Sequence, residues 1–157
     1  MNRKPKMLMA ALIAVSQSYA AKESIDTLKT YELQNVQVTS TRAGKHTPMA
    51  FSTLNKDQIK KINHGQDIPF LLSLTPSVTT TSDAGNGIGY TSLKVRGTDP
   101  SRINFTANGI PVNDAESSQV FFVNMSDFMS SVKDLQIQRG VGTSTNGSAA
   151  FGATVNM

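Results

Sequence analysis

Apolar and polar residues alternate most regularly near the C-terminus, where Leu135 and Ile137 are interleaved with Gln136 and Gln138 ahead of Arg139 and Gly140. Alternation at period two puts one kind of residue on each face, so it predicts a half-buried strand. A shorter copy runs from Thr91 to Arg96, with Leu93 and Val95 apolar and Gly97 next. Both strands end in Arg-Gly, and glycine admits backbone angles that side chains disfavour. Val36 and Val38 alternate with Gln37 and Thr39 and predict an extended segment near the free end. Such a segment can pair with an edge of its own sheet or join a partner's by strand addition. Ala50 to Leu54, Val78 to Thr81 and Ile103 to Ala107 read as further strands. Asn108-Gly109 after the last of these is a hairpin signal, and Pro111 marks an edge or irregular piece beyond it.

Helical spacing is confined to two short stretches. Asn55 is an N-cap with Gln58 three residues on, Ile59 and Ile62 form a stripe, and Gly65 is the expected stop. Asp67 caps a second helix with Pro69 in its first turn. Phe70, Leu71, Leu72 and Leu74 supply its core face, and Pro76 ends it. Val120 to Val123 is a compact apolar run expected in the core, and Ser126 to Ser131 is a helical turn. Ser82 to Gly89 and Asn113 to Ser118 are polar or glycine-rich loops. The result is an α+β domain: a small mixed sheet of short strands, two or three short helices and long loops.

The first twenty residues stand apart. Arg3, Lys4 and Lys6 precede an apolar run from Met7 to Val15, and Ser18 and Ala20 have the spacing of a signal-peptidase site, with cleavage after Ala20. The run is too short to cross a bilayer core of about 30 Å as a helix. Export is therefore expected, with residues 1–20 a signal peptide and 21–42 a flexible N-terminal segment. Removing the three leader bases from the 15 in the chain leaves 12 against 11 acidic residues. The net charge of +4 is thus mostly leader, and the mature chain has no basic stripe for nucleic acid. Sparse aromatics and the lack of Trp disfavour a base-stacking platform. The absence of Cys removes disulfides, thiolate metal sites and cysteine nucleophiles.

Candidate chemistry is thin. Gly142 and Gly147 have the separation of a phosphate loop, but Ser148 and Ala149 follow where Lys and Ser or Thr are required. Thr145 stands where a dinucleotide fingerprint needs its third glycine. His46 and His64 lie in polar stretches without zinc spacing, and there is no Gly-x-Ser-x-Gly elbow. Asp114 and Glu116 are the one close acidic pair considered for a cation, and a solvated loop explains them as well. No catalytic residue, metal site or cofactor is expected.

The order of the motifs is more informative than any one of them. Leu74-Thr75-Pro76-Ser77-Val78 resembles the L-x-P-G-V element of the plug domain of TonB-dependent outer-membrane receptors. Val95-Arg96-Gly97 resembles that family's I-R-G, and Asn108-Gly109-Ile110-Pro111-Val112 its D-G-V-P element. Leu135 to Ala153 is similar to its I-E-V-x-R-G-P…Y-G-x-x-A-x-G-G stretch. Glu32 to Arg42 resembles the region of the TonB box. Ser77 departs from glycine, Asn108 from aspartate and Val141 from proline, and Ser77 adopts positive φ less easily than glycine.

The resemblance implies a plug over residues 43–157, without catalytic activity, working at the outer membrane in energy-coupled uptake. It gates a barrel of about twenty-two strands and helps bind a small-molecule, metal-chelate or glycan substrate. The chain stops at Met157, so the barrel is absent from it, as in a fragment or a plug encoded alone. No signalling extension fits between Ala21 and Glu32. By the resemblance, Val36, Gln37, Val38 and Thr39 pair with TonB. Arg96 and Arg139 face carboxylates on the barrel wall, where a guanidinium fork binds bidentately. The loops carrying Asn86, Tyr90, Asn113, Asp114 and Glu116 reach the substrate. The alternative is a free-standing periplasmic binding module of plug-like fold; a small secreted enzyme using His46 or His64 is the remaining class.

Overall fold

The computed structural model describes residues 39–142, 144–147 and 149–157. The leader and Val36, Gln37 and Val38 lie outside the described residues. In chain order the elements are β1 (Ala50–Asn55), α1 (Lys56–Ile62), α2 (Ile68–Leu71), β2 (Val78–Ser82), β3 (Thr91–Val95), β4 (Ile103–Ala107), β5 (Ile110–Pro111), β6 (Asp134–Arg139) and β7 (Ala153–Asn156). Short 3-10 turns occupy Pro100–Arg102, Phe122–Met125, Phe128–Ser131 and Ser144–Asn146. The expected α+β class with a mixed sheet is what forms. Five strands pair in the order β1-β6-β7-β4-β5, antiparallel except for the parallel β4–β7 pair, while β2 and β3 make a separate antiparallel hairpin.

Local chemistry explains the boundaries. Asn55 Oδ1 accepts from the Gln58 N–H at 2.9 Å and Gln58 Oε1 accepts from the Asn55 N–H at 2.9 Å, a complete capping box that starts α1. The helix stops at Ile62 rather than at Gly65, because Asn63 is already extended (φ −81°, ψ 110°). Asp67 stands at the N-cap of α2, but its carboxylate does not cap; it accepts from Thr91 Oγ1 at 2.8 Å and is buried. Because α2 is a single turn, its apolar stripe ends at Leu72. Leu74, expected in the core, is 85% exposed. Asn108 and Gly109 take φ of +50° and +82°, the left-handed pair of a tight hairpin turn joining β4 to β5.

The core lies on one face of the five-stranded sheet. Ile103 and Phe105 of β4, Leu135 and Ile137 of β6 and Val155 of β7 meet Ile59, Leu71, Leu72, Leu93, Phe122 and Met129 there. The Phe105 and Phe122 rings pack edge to face with centroids 5.3 Å apart. Of the run Val120 to Val123 only Phe122 is buried, and Phe121 is 49% exposed.

The sequence pattern marked no strand after β6, yet β7 is a central strand between β6 and β4, buried at every residue, and the expected half-buried character of β6 changes too. β6 is buried on both faces, with Gln136 and Gln138 as inaccessible as Leu135 and Ile137. The register sets Gln136 beside Asn156 and Thr106, and Gln138 beside Thr154 and Asn104. The sheet therefore has an apolar face and a buried polar face.

Candidate functional site

Two regions bring together residues that the sequence pattern singled out. The first is the corner where the two Arg-Gly strand ends meet. β3 ends at Val95, and Arg96 turns the chain with φ +52° while its N–H donates to Ser77 O at 2.8 Å. Ser77 also carries positive φ, +66°, at the position where the resemblance expects glycine. Arg139, at the end of β6, donates from Nη1 to Pro76 O at 3.1 Å. One turn, Pro76-Ser77, thus anchors the Arg96 main chain and the Arg139 side chain.

Gly140 completes the corner. Its φ is +103°, and a Cβ there would lie 3.1 Å from Arg96 Nη1, so the bare backbone makes room for the guanidinium. Its N–H donates to Gly152 O at 2.8 Å, and the Gly152 N–H donates to Arg102 O at 2.8 Å. Arg102 is exposed and sits 5.7 Å over the Phe151 ring. Nothing in the sequence pattern marked this third arginine, because it lies in a short 3-10 turn with no Arg-Gly motif.

Among the described residues the ion pairs are Arg42 with Asp134 and Lys94 with Asp99. Arg96, Arg102 and Arg139 are in neither. A guanidinium keeps its charge at all ordinary pH and offers five donors in a fixed fork, so the corner is a fixed cationic surface.

The second region is a groove of about 200 Å³ between the β2–β3 loop and the segment after Asn113. Tyr90, Asp83, Thr91 and Ser92 line one side, and Gln119, Val120 and Phe121 the other. Tyr90 is 70% exposed, so it and Phe121 give the groove two open aromatic surfaces. The two loops proposed for substrate contact converge here. Their named residues do not all converge. Asn86 lines a different, shallower depression of about 500 Å³ with Leu74, Ile88, Phe70 and His64. Asn113 holds its loop together: its Oδ1 accepts from the Phe105 N–H, and its Nδ2 donates to Ile103 O and Ser118 O.

Asp114 is exposed and accepts from the Ser117 N–H at 2.8 Å, from Ser117 Oγ at 2.9 Å and from the Glu116 N–H at 3.2 Å. The Ser117 main-chain bond and then the Ser117 hydroxyl hold its carboxyl below the usual 3.8; partial desolvation opposes them, and the Glu116 amide adds the least. Glu116 is exposed. No group of three or more His, Asp or Glu residues that could hold a metal ion occurs among the described residues. His46 and His64 are both exposed. Of the TonB-facing stretch only Thr39 is described; it is exposed, and its carbonyl accepts from the Arg42 N–H at 3.0 Å. No helix among the described residues is long and apolar enough to cross a membrane.

Comparison with known proteins places these features. The ferric enterobactin receptor PfeA aligns with a TM-score of 0.53 and 20% identity, over 72% of this chain and 18% of that one. The copper transporter OprC aligns with a TM-score of 0.53 and 18% identity, over 68% and 16%. The siderophore receptor PirA from Acinetobacter baumannii gives 0.50 and 20%, over 68% and 16%. At these identities the likeness is one of fold, and the chain spans under a fifth of the length of each. No curated protein sequence matches it. The family model described as TonB-dependent Receptor Plug Domain matches residues 43–154, most of the chain, and with the fold above it follows that this chain belongs to the TonB-dependent receptor plug family.

Proposed function

We propose that the chain works as the plug of an outer-membrane receptor, exported by its N-terminal leader, closing a barrel lumen and contributing to substrate binding in TonB-driven uptake. It carries out no catalysis in this reading. The observation that carries it is the cationic corner. Arg96 and Arg139 are set by strand ends and a shared turn and Arg102 by its 3-10 turn, yet none is in an ion pair among the described residues. Positioned cations with no ion-pair partner among the described residues suit a surface that meets carboxylates supplied from outside, as an inner barrel wall would supply them.

The groove between Tyr90 and Phe121 is the proposed substrate-facing subsite. Its volume is below the 300 Å³ or so at which small-ligand pockets usually begin, so it would share the ligand with groups from the barrel. PirA is a siderophore receptor, PfeA a ferric enterobactin receptor and OprC a copper transporter, which makes metal chelates the first substrate class to test. Val36, Gln37, Val38 and Thr39 are the proposed TonB contact, by strand addition.

The test is direct binding of a peptide covering Leu33 to Arg42 to the TonB C-terminal domain, by calorimetry. Saturable binding, lost when Val36 and Val38 are replaced by proline, is expected. No binding at millimolar peptide would remove the TonB assignment.

A further inference from the structure

The polar face of the sheet is covered by two pieces of chain: Asn146 of the 144–146 turn bonds Asn104 and Gln138, and the segment Thr41 to Ala43 lies beside it, held by side chains. The Ala43 N–H donates to Gln136 Oε1 at 2.7 Å, and Gln136 Nε2 donates back to Ala43 O at 3.0 Å. The glutamine amide thereby pairs both main-chain groups of Ala43, as a neighbouring strand would. Gln138 Nε2 and Asn156 Nδ2 both donate to Thr41 O, at 2.7 and 3.3 Å. Arg42 forms its ion pair with Asp134 between these two clamps. Among the described residues, every main-chain to main-chain bond of 39–49 is local: Arg42 to Thr39, Thr47 to Gly44 and Met49 to Thr47. Ala43, one methyl group, is the one buried apolar side chain in 39–49.

We propose that Thr41 to Ala43 is a detachable strap, and that its release uncovers a hydrogen-bonding sheet face while the apolar core stays closed. Burial of a sheet's apolar face resists opening in proportion to the area exposed. The strap face differs, since everything the strap leaves behind is an amide, hydroxyl or carboxylate that water can satisfy. Opening there forfeits little apolar burial, which is the signature of a local unit that opens well before the whole fold. The uncovered part presents Gln136 and Asn156, with Thr106 in the same cross-strand row, and the Nε2 of Gln138, while Asn104 and the Oε1 of Gln138 keep their bonds to Asn146 of the 144–146 turn. That row is a polar wall able to accompany water or a hydrogen-bonding solute. The strap follows directly on Thr39, so under the TonB reading it is the first part of the plug to feel tension. The release itself does not depend on that reading.

Hydrogen exchange of the full chain, resolved by residue, tests it without TonB or a barrel. The amide of Ala43 should exchange at least about tenfold faster than those of Ile137 and Val155. Gln136→Met, which removes both bonds to Ala43, should speed exchange at Ala43 by a further factor of about ten and leave Val155 within about twofold. Limited trypsin should cut after Arg42 or Lys45 and leave a folded remainder. Equal protection of Ala43 and Val155 in the unaltered chain would overturn the proposal, because the strap would then open only with the fold. So would a Gln136→Met chain whose Ala43 protection is unchanged. The peptide-binding result bears on the TonB assignment alone, so either reading can fail without the other.

Discussion

Ser77 occupies a backbone conformation that costs an L-residue about 1–2 kcal/mol, at φ +66°, and two arginines depend on the turn it makes. Glycine would remove that cost but would lose more conformational freedom on folding, an offset of about 0.4–1 kcal/mol. Ser77→Gly should therefore stabilise the chain by about 0.5–1 kcal/mol, visible as a higher urea midpoint with an unchanged slope. The need for glycine-like geometry was legible in the motif, whereas the reason was not: it lies in contacts of the turn to Arg96, 19 positions beyond Ser77, and to Arg139, 63 positions beyond Pro76. Asp114 gives a second residue-scale expectation. Three hydrogen bonds favour its ionised form, so its folded pKa lies below 3.8. A depressed carboxyl stabilises the loop above its unfolded pKa, and the effect disappears as pH falls through the folded value. Carbon-detected titration of Asp114 should show a midpoint under 3.8, and Ser117→Ala should move it upward.

At the scale of elements, what could be read from the sequence followed local chemistry. The capping box of α1 was legible because Asn55 and Gln58 make both bonds within four residues. Asn55→Ala should cost about 1 kcal/mol, measured by thermal or urea unfolding, with little change elsewhere. The alternation in β6 was legible as a strand, but it implied a solvated face that does not exist. Its glutamines are buried because β7 and the 41–43 segment supply partners from far along the chain. β7 itself escaped notice because its four residues, Ala153 to Asn156, are too short for a period and follow a glycine-rich run. Its place between β6 and β4 is set by register, a long-range property. Leu74 failed in the opposite way: a local stripe was extended past a helix that lasts one turn.

For the whole molecule, the decisive question is whether the arginine corner serves this chain or another surface. Within the chain, Arg96 contributes its main-chain bond to Ser77 O, and its guanidinium lies over Gly140 without an ion pair among the described residues. Arg96→Gln keeps the main-chain bond and removes only the charge. The stability of the isolated chain should then change by no more than about 0.5 kcal/mol, as for a surface substitution away from special features. Under the proposed outward role, the same change in a receptor that carries this plug in its barrel would leave a wall carboxylate without its partner. If that site is dry, breaking the pair costs about 3–5 kcal/mol, and if it is wet, less than about 1 kcal/mol. The contrast is measurable as denaturant resistance of the chain alone against retention of the plug in the barrel under mild urea. Loss in the assembled receptor with none in the isolated chain supports an outward role. A loss of equal size in the isolated chain would make Arg96 a support of the plug's own fold. The cationic corner would then have to be explained by Arg102 and Arg139 alone.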